Sequence, residues 1–271
     1  MRGSASFTAA LEYEDDRFVN VVGKTENGWL SSYRGRSCKS LLGAVSGCIA
    51  VSPHLLRQIP DHVPGMLLRG VVGDDLVQAN KESTEIKRNR ILFSGTHIES
   101  NGVANLIAAW RSAPIDGWEL HITGQGELTT ALRQMAENVP GVVFHGLVSR
   151  QKLIELMSSA KICINPHAVS RTPGNVFAFK IIEYLAAGAH CVTTPMGKLE
   201  SDLERGTTYM QDNSPETIAA TLKKVTAERL YERVAPKAAQ DAYGSQTVSR
   251  SLDGFLKQVT QGVATKRTEV A

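Results

Sequence analysis

From Arg90 onward, short apolar runs rich in β-branched residues alternate with longer segments of helical period. The apolar runs are RILFS (90–94), WELHIT (118–123), VVFH (142–145), KICIN (161–165) and AHCVTT (189–194). They are short and nearly continuous, as expected of strands buried on both faces. Between them, residues 101–113, 127–137, 150–160 and 176–187 repeat their apolar positions at the spacing of a helix face. Strand and helix in strict alternation predict βαβ units, hence an α/β fold with a parallel sheet covered on both faces. Such sheets bind ligands beyond the carboxyl ends of their strands. The loops at 95–101, 124–127, 146–149 and 166–175 are therefore expected along one rim.

The first 88 residues follow a different pattern. They predict a strand in SFTAALEY, a helix near 36–45, a strand in GCIAVSP and another in MLLRGVV. A doubly wound sheet has about five or six strands. This region therefore reads as a partial Rossmann-like domain. The polar stretch GDDLVQANKESTEIKRNR is expected to be a linker, or a loop with a frayed helix. The resulting division is 1–88, 89–245, a helix at 246–262 that packs back, and a disordered tail at 263–271. A half-sheet leaves an apolar face and an unpaired edge. The chain is accordingly expected to self-associate, to meet a partner that completes its N-terminal half, or to keep that half poorly ordered.

Composition narrows the class of partner. A formal charge of +3 is too small to imply nucleic acid, though it allows a locally basic pocket. Cys38, Cys48, Cys163 and Cys191 lack the spacing of a metal site or a redox pair. Three of them lie in apolar runs, which predicts buried free thiols. The histidines have no ligand spacing, so no metal is expected. No run is long and apolar enough to span a membrane, and the N-terminus lacks the core of a signal peptide. A cytoplasmic protein is expected, resting at most on the inner membrane surface.

Several loops hold candidate groups. Gly124 and Gly126 follow a strand, but a dinucleotide fingerprint needs a third glycine where this chain has Thr129. A tight turn or a cleft-lining loop explains these glycines better than a nicotinamide site. His97 and His167 lie in rim loops, where exposed bystanders are the ordinary reading. Glu12, Glu14, Asp15 and Asp16 form an acidic cluster read as a solvated loop or helix start.

The most informative segment is RTPGNVFAFKIIEYLAAGAHCVTTP, residues 171–195. Asn175 is suited to cap a helix and Gly188 to end it. The helix between them is apolar almost all round, which marks it as buried. Yet it carries Lys180 and Glu183 three positions apart, on one face. One reading is an ion pair within the helix, or a lysine reaching for solvent. The other is that both charges meet a polar ligand, the ammonium a phosphate and the carboxylate a ribose.

The run FKIIEYLAAGAHCVTTP resembles the K-x-x-E-Y-x-A-x-G-x-x-V block of the group 1 glycosyl transferases. Three further stretches follow in that family's order: ILFSGTHIESNGVANLIAAW, WELHITGQGEL and VVFHGLVSRQKLIELMSSAKICINP. The resemblance covers roughly residues 90–235. It implies the two-domain GT-B fold, with the first part of the N-terminal domain missing here. It also implies transfer of a sugar from a nucleoside diphosphate sugar to a glycan or lipid-linked acceptor hydroxyl, with retention and without a cofactor. Glu183 then matches the second acid of the family's Glu-x7-Glu pair, which holds the ribose, and Asn175 stands at the first. Where the family has Gly-Arg and Lys-Gly facing the diphosphate, this chain has Gly95-Thr96 and Asn101-Gly102. Lys180 and Arg171 are thus the candidate catalytic groups. Gly95, Thr96, Asn101, Gly124, Gly174, Asn175, Val176, Phe177 and Glu183 are the candidate donor contacts. A non-catalytic binding module and a nucleotide-sugar epimerase are the alternatives.

Overall fold

The structure, a computed structural model, describes residues 10–13, 40–82, 87–169, 177–197, 199–261 and 268–269. Along the chain come β1 (Ala10–Tyr13), a helical stretch at 40–44, β2 (Gly47–Ala50), α1 (Pro53–Leu56), β3 (Gly65–Leu67) and α2 (Asp74–Glu82). There follow β4 (Arg88–Ser94), α3 (Val103–Ser112), β5 (Glu119–Thr123), α4 (Thr129–Met135), β6 (Val142–Gly146) and α5 (Arg150–Ser159). The next elements are β7 (Ala160–Asn165), α6 (Lys180–Ala186), β8 (His190–Thr193), α7 (Ser201–Glu204) and β9 (Thr207–Tyr209). Last are α8 (Pro215–Ala227), α9 (Pro236–Tyr243), α10 (Ser245–Gln261) and β10 (Thr268–Glu269). The chain divides into two units, residues 1–71 with 174–177 and 245–271, and residues 72–173 with 178–244.

In the first unit, the strands run in the order β1-β2-β3-β10, all parallel. Leu42, Cys48, Leu55, Leu56 and Ile59 form one small core, closed by the Ser52 cap of α1, whose hydroxyl accepts from Leu55 N. Met66 packs with Phe255 and Val259 of α10 in another. The last helix thus belongs with the N-terminal strands. Thr268 and Glu269 pair with Met66 and Leu67, where the sequence predicts a disordered tail. Their pairing is made by backbone groups, which leave no apolar pattern to read.

The second unit holds a six-stranded parallel sheet of order β6-β5-β4-β7-β8-β9. All five strands expected after Arg90 are present. β9, an edge strand of three residues, has too little sequence to reveal a period. Ile91 and Phe93 of β4 and Leu120 and Ile122 of β5 face α3 and α8, with Trp110 fully enclosed and its indole N–H given to Pro140 O at 2.9 Å. On the other face α2, α5, α6 and α9 contact one another. Residues 74–82, expected as a linker or as a loop with a frayed helix, form α2. Asp74 and Asp75 suit its positive N-terminus, while Leu76 is fully buried. One anchoring leucine gives too weak a period to predict the helix. The strand order reverses between β4 and β7, the switch point at which such a sheet opens a crevice outside the carboxyl ends of its strands.

Candidate functional site

β4 ends at Ser94, beside that crevice, and α6 is pinned to this end. The buried Tyr184 hydroxyl accepts from Ser94 N at 3.1 Å and lies 2.9 Å from Ser94 Oγ. Its burial raises the phenol far above the usual tyrosine range. One turn earlier, Lys180 starts α6 and places its Nζ 3.4 Å from Ser94 O and 5.1 Å from the centre of the Phe93 ring. A Cβ built on Gly95 would lie 3.1 Å from that Nζ. Among the described residues Lys180 has no carboxylate partner. Loss of solvation lowers its pKa to about 8. A cation stripped of water and left without an anion is costly, so this geometry favours a negatively charged ligand at the crevice.

The helix begins at Lys180, four residues later than expected. Phe179 occupies the cap position and offers no side-chain hydrogen bond. None of residues 177–179 carries a side chain that could cap the helix at this start. The other end matches the expectation: Gly188 follows the helix at φ +73° and gives its N–H to Leu185 O.

Glu183 does not pair with Lys180, so the intrahelical ion pair is absent. Nor do the two charges meet in one cluster. Glu183 Oε1 instead accepts from Arg150 Nη1 at 2.6 Å, with the carboxylate largely enclosed. Arg150 also donates from Nε to Asp75 Oδ2 at 3.0 Å. Two carboxylates hold this guanidinium protonated, and the guanidinium holds Asp75 below the ordinary carboxylate range. Arg150 is the first residue of α5, after the Ser149 cap, and so stands at the carboxyl side of β6. The sequence gives no sign of this triad, because its members are separated by 75 and 33 residues.

The rim loops are bonded to each other. Gly95 N donates to Thr123 O at 3.3 Å, His97 N to Gln125 O at 3.1 Å, and Leu128 N to His97 O at 3.0 Å. Gly124 has φ +114°, and a Cβ there would fall 1.9 Å from Gly95 O. Close backbone approach, rather than a dinucleotide, accounts for this glycine. Thr129, which breaks the fingerprint, is structural: its Oγ1 accepts from Gly126 N at 2.8 Å and lies 3.0 Å from His97 Nδ1. His97 is fully buried between Phe93 and Phe144, not an exposed bystander. Burial lowers its pKa. His167 is half-buried, its Nδ1 donating to Ala168 O at 2.8 Å, and burial lowers its pKa with help from Lys180.

Of the remaining candidates, Thr96 is exposed beside Gly95. Asn101 turns back, giving its amide to Thr96 O at 2.7 Å, so it closes its own loop. Phe177 falls in the first unit, where the Arg69 guanidinium lies 4.7 Å from its ring centre. Arg171, Gly174, Asn175 and Val176 lie outside the described residues, as do Cys38 and the acids at 14–16. Cys48, Cys163 and Cys191 are buried free thiols, as expected. Among the described residues no cluster of metal-ligating side chains occurs, and no helix is long and apolar enough to cross a membrane.

A family model described as glycosyl transferases group 1 matches residues 88–228. No curated protein matches the sequence. Among solved structures, sucrose-phosphate synthase from Thermosynechococcus elongatus is similar at 17% identity and TM-score 0.73, over 96% of this chain and 70% of that one. Anabaena HepE in complex with UDP is similar at 14% identity and TM-score 0.64, over 93% and 72%. A glycosyltransferase from Rickettsia africae gives 16% identity and TM-score 0.64, over 83% and 67%. These likenesses carry the fold, which is the GT-B arrangement expected from the sequence.

Proposed function

Since the chain belongs to the group 1 glycosyl transferases, we propose that the crevice between β4 and β7 takes a nucleoside diphosphate sugar and passes its sugar, with retention, to the hydroxyl of a glycan or a lipid-linked acceptor. The observation that carries this reading is Lys180, a largely desolvated cation beside the end of β4 that has no carboxylate partner among the described residues. When the glycosidic bond to the diphosphate breaks, negative charge gathers on the departing phosphate oxygen. Positive groups fixed in advance at that point lower the barrier. Lys180 supplies one, and the free N–H groups opening α3 supply a partial positive charge. Together they do the work that a divalent cation does elsewhere, which makes the reaction metal-independent. Glu183 accepts hydrogen bonds from the ribose hydroxyls, and Arg150 fixes the carboxylate that receives them. UDP, the nucleotide held by HepE, is the first base to test.

A second reading has its own support. Thr96 and Asn101 stand where the family carries cations, and Asn101 is spent on its own loop. Fewer charges at the diphosphate suit a module that binds a sugar nucleotide without turning it over. One experiment separates the two. Thermal unfolding is followed with UDP-, GDP- and ADP-sugars, and the sugar nucleotide that raises the midpoint is then assayed for hydrolysis or transfer. Binding with turnover supports the enzyme, and binding without turnover supports the module. If no sugar nucleotide moves the midpoint, or Glu183→Ala keeps the full shift, the donor site is misplaced.

A further inference from the structure

At the amino edge of the six-stranded sheet lies a second cavity, of about 390 Å³. His190 and Thr207 are the first residues of β8 and β9, whereas Ser94 ends β4. In a parallel sheet these are opposite edges, so the cavity is separate from the crevice. Its polar lining is formed by His190, Glu204, Arg205, Thr207, Thr208 and Arg233, with Leu230 as the apolar wall.

The hydrogen bonds fix what this lining can still offer. His190 Nδ1 lies 2.8 Å from Arg233 O, which can only accept, so the proton sits on Nδ1. Nε2, 2.8 Å from Thr208 Oγ1, is then the acceptor and Thr208 the donor. Thr207 gives its hydroxyl proton to Leu203 O at 3.1 Å. Both threonine protons are spent, and both oxygens keep lone pairs. Glu204 adds a further acceptor. The guanidinium groups of Arg205 and Arg233 make no hydrogen bond or ion pair with a described residue. Nearby Arg229, in contrast, is paired with Glu232. The cavity therefore offers two unspent cationic forks beside a row of acceptors.

We propose that this cavity binds a small sugar phosphate, its phosphate on Arg205 and Arg233 and its hydroxyls on Thr207, Thr208 and Glu204. Guanidinium forks match phosphate oxygens in pairs. Hydroxyls are the donors that the spent threonines and the carboxylate require. The volume is in the range of sites for small ligands. A bare phosphate would satisfy the arginines, leave the acceptors unmatched and face the charge of Glu204. The site is thus selective for a phosphate that carries a polyol.

The test is calorimetric titration of the full chain with glucose 1-phosphate, inorganic phosphate and glucose. Glucose 1-phosphate is expected to bind more tightly than either fragment. The double variant Arg205→Ala/Arg233→Ala should weaken it by at least about tenfold, while Lys180→Met leaves it unchanged. Glu204→Ala should narrow the preference for glucose 1-phosphate over phosphate. Both arginines are exposed, and Arg205→Gln alone carries the test should the double variant lose its fold. Absence of binding, equal affinity for inorganic phosphate, or full affinity in the arginine variants would overturn the assignment. So would loss of binding in Lys180→Met, which would place the ligand in the crevice instead.

Discussion

Lys180 is held where water is scarce, and among the described residues its ammonium meets a carbonyl and an aromatic face but no carboxylate. In the unfolded chain its pKa is the ordinary value of 10.5, and in the folded chain it is about 8. Between those two values the unfolded state holds more protons than the folded one. The penalty for burying the charge is therefore full below about pH 8 and is relieved as pH rises toward 10.5. A diphosphate favours the protonated form, which sets the opposite trend for binding. Donor affinity should be flat up to about pH 8 and then fall as the amine loses its proton. Lys180→Met should weaken the donor on the order of 10- to 100-fold, the loss of one or two charge-assisted hydrogen bonds. It should also remove this part of the pH dependence. Titrations at several pH values decide the matter: a variant that keeps the wild-type profile would assign the titration to another group. Lys180 was legible in the sequence because a cation in an apolar helix needs a reason. Arg150 was not, because one arginine after a serine cap looks like many others, and only folding brings Asp75 and Glu183 to it.

At the scale of elements, the rim depends on two loops lying backbone against backbone. Gly124 sits where any side chain would meet Gly95 O, and at a φ of +114° that side chains seldom adopt. Gly124→Ala should therefore push the 95–97 loop away from the 124–126 loop. Strain of this kind costs about 1–3 kcal/mol, and the displaced Gly95 would no longer border Lys180. A lowered midpoint in denaturant, together with loss of the thermal shift by the donor, is the expected pair of results. Unchanged stability and donor shift would mean that the loops tolerate separation and do not shape the site. The sequence made the strand-helix alternation after Arg90 plain, since buried parallel strands are continuous apolar runs. It left α2 open between a linker and a frayed helix, since that helix has a single fully buried leucine. It also concealed the late start of α6, since the apolar residues before Lys180 continue the same pattern without continuing the helix.

For the molecule as a whole, the fate of the C-terminal helix tests how the two units are built. Gly47 of β2 can carry no side chain, because a Cβ there would fall 2.4 Å from Val259 Cγ2. Phe255 and Val259 cover Met66, and all three are buried. Burying each such side chain contributes about 1.5–3 kcal/mol. Three together approach the whole stability of an ordinary domain, roughly 5–15 kcal/mol. A chain ending at Gly244 lacks α10 and β10, and its first unit should not hold a fixed fold. The second unit loses none of its own core, since Val72 remains bridged to Gly244 and bonded to Tyr243 O. Protection from hydrogen exchange should accordingly collapse at residues 47–50 and 65–67 and persist at 88–94 and 119–123. Slow exchange throughout the truncated chain would show that the N-terminal strands are stable without the helix packed on them. Loss of protection everywhere would show that the two units unfold together, with no boundary in energy between them.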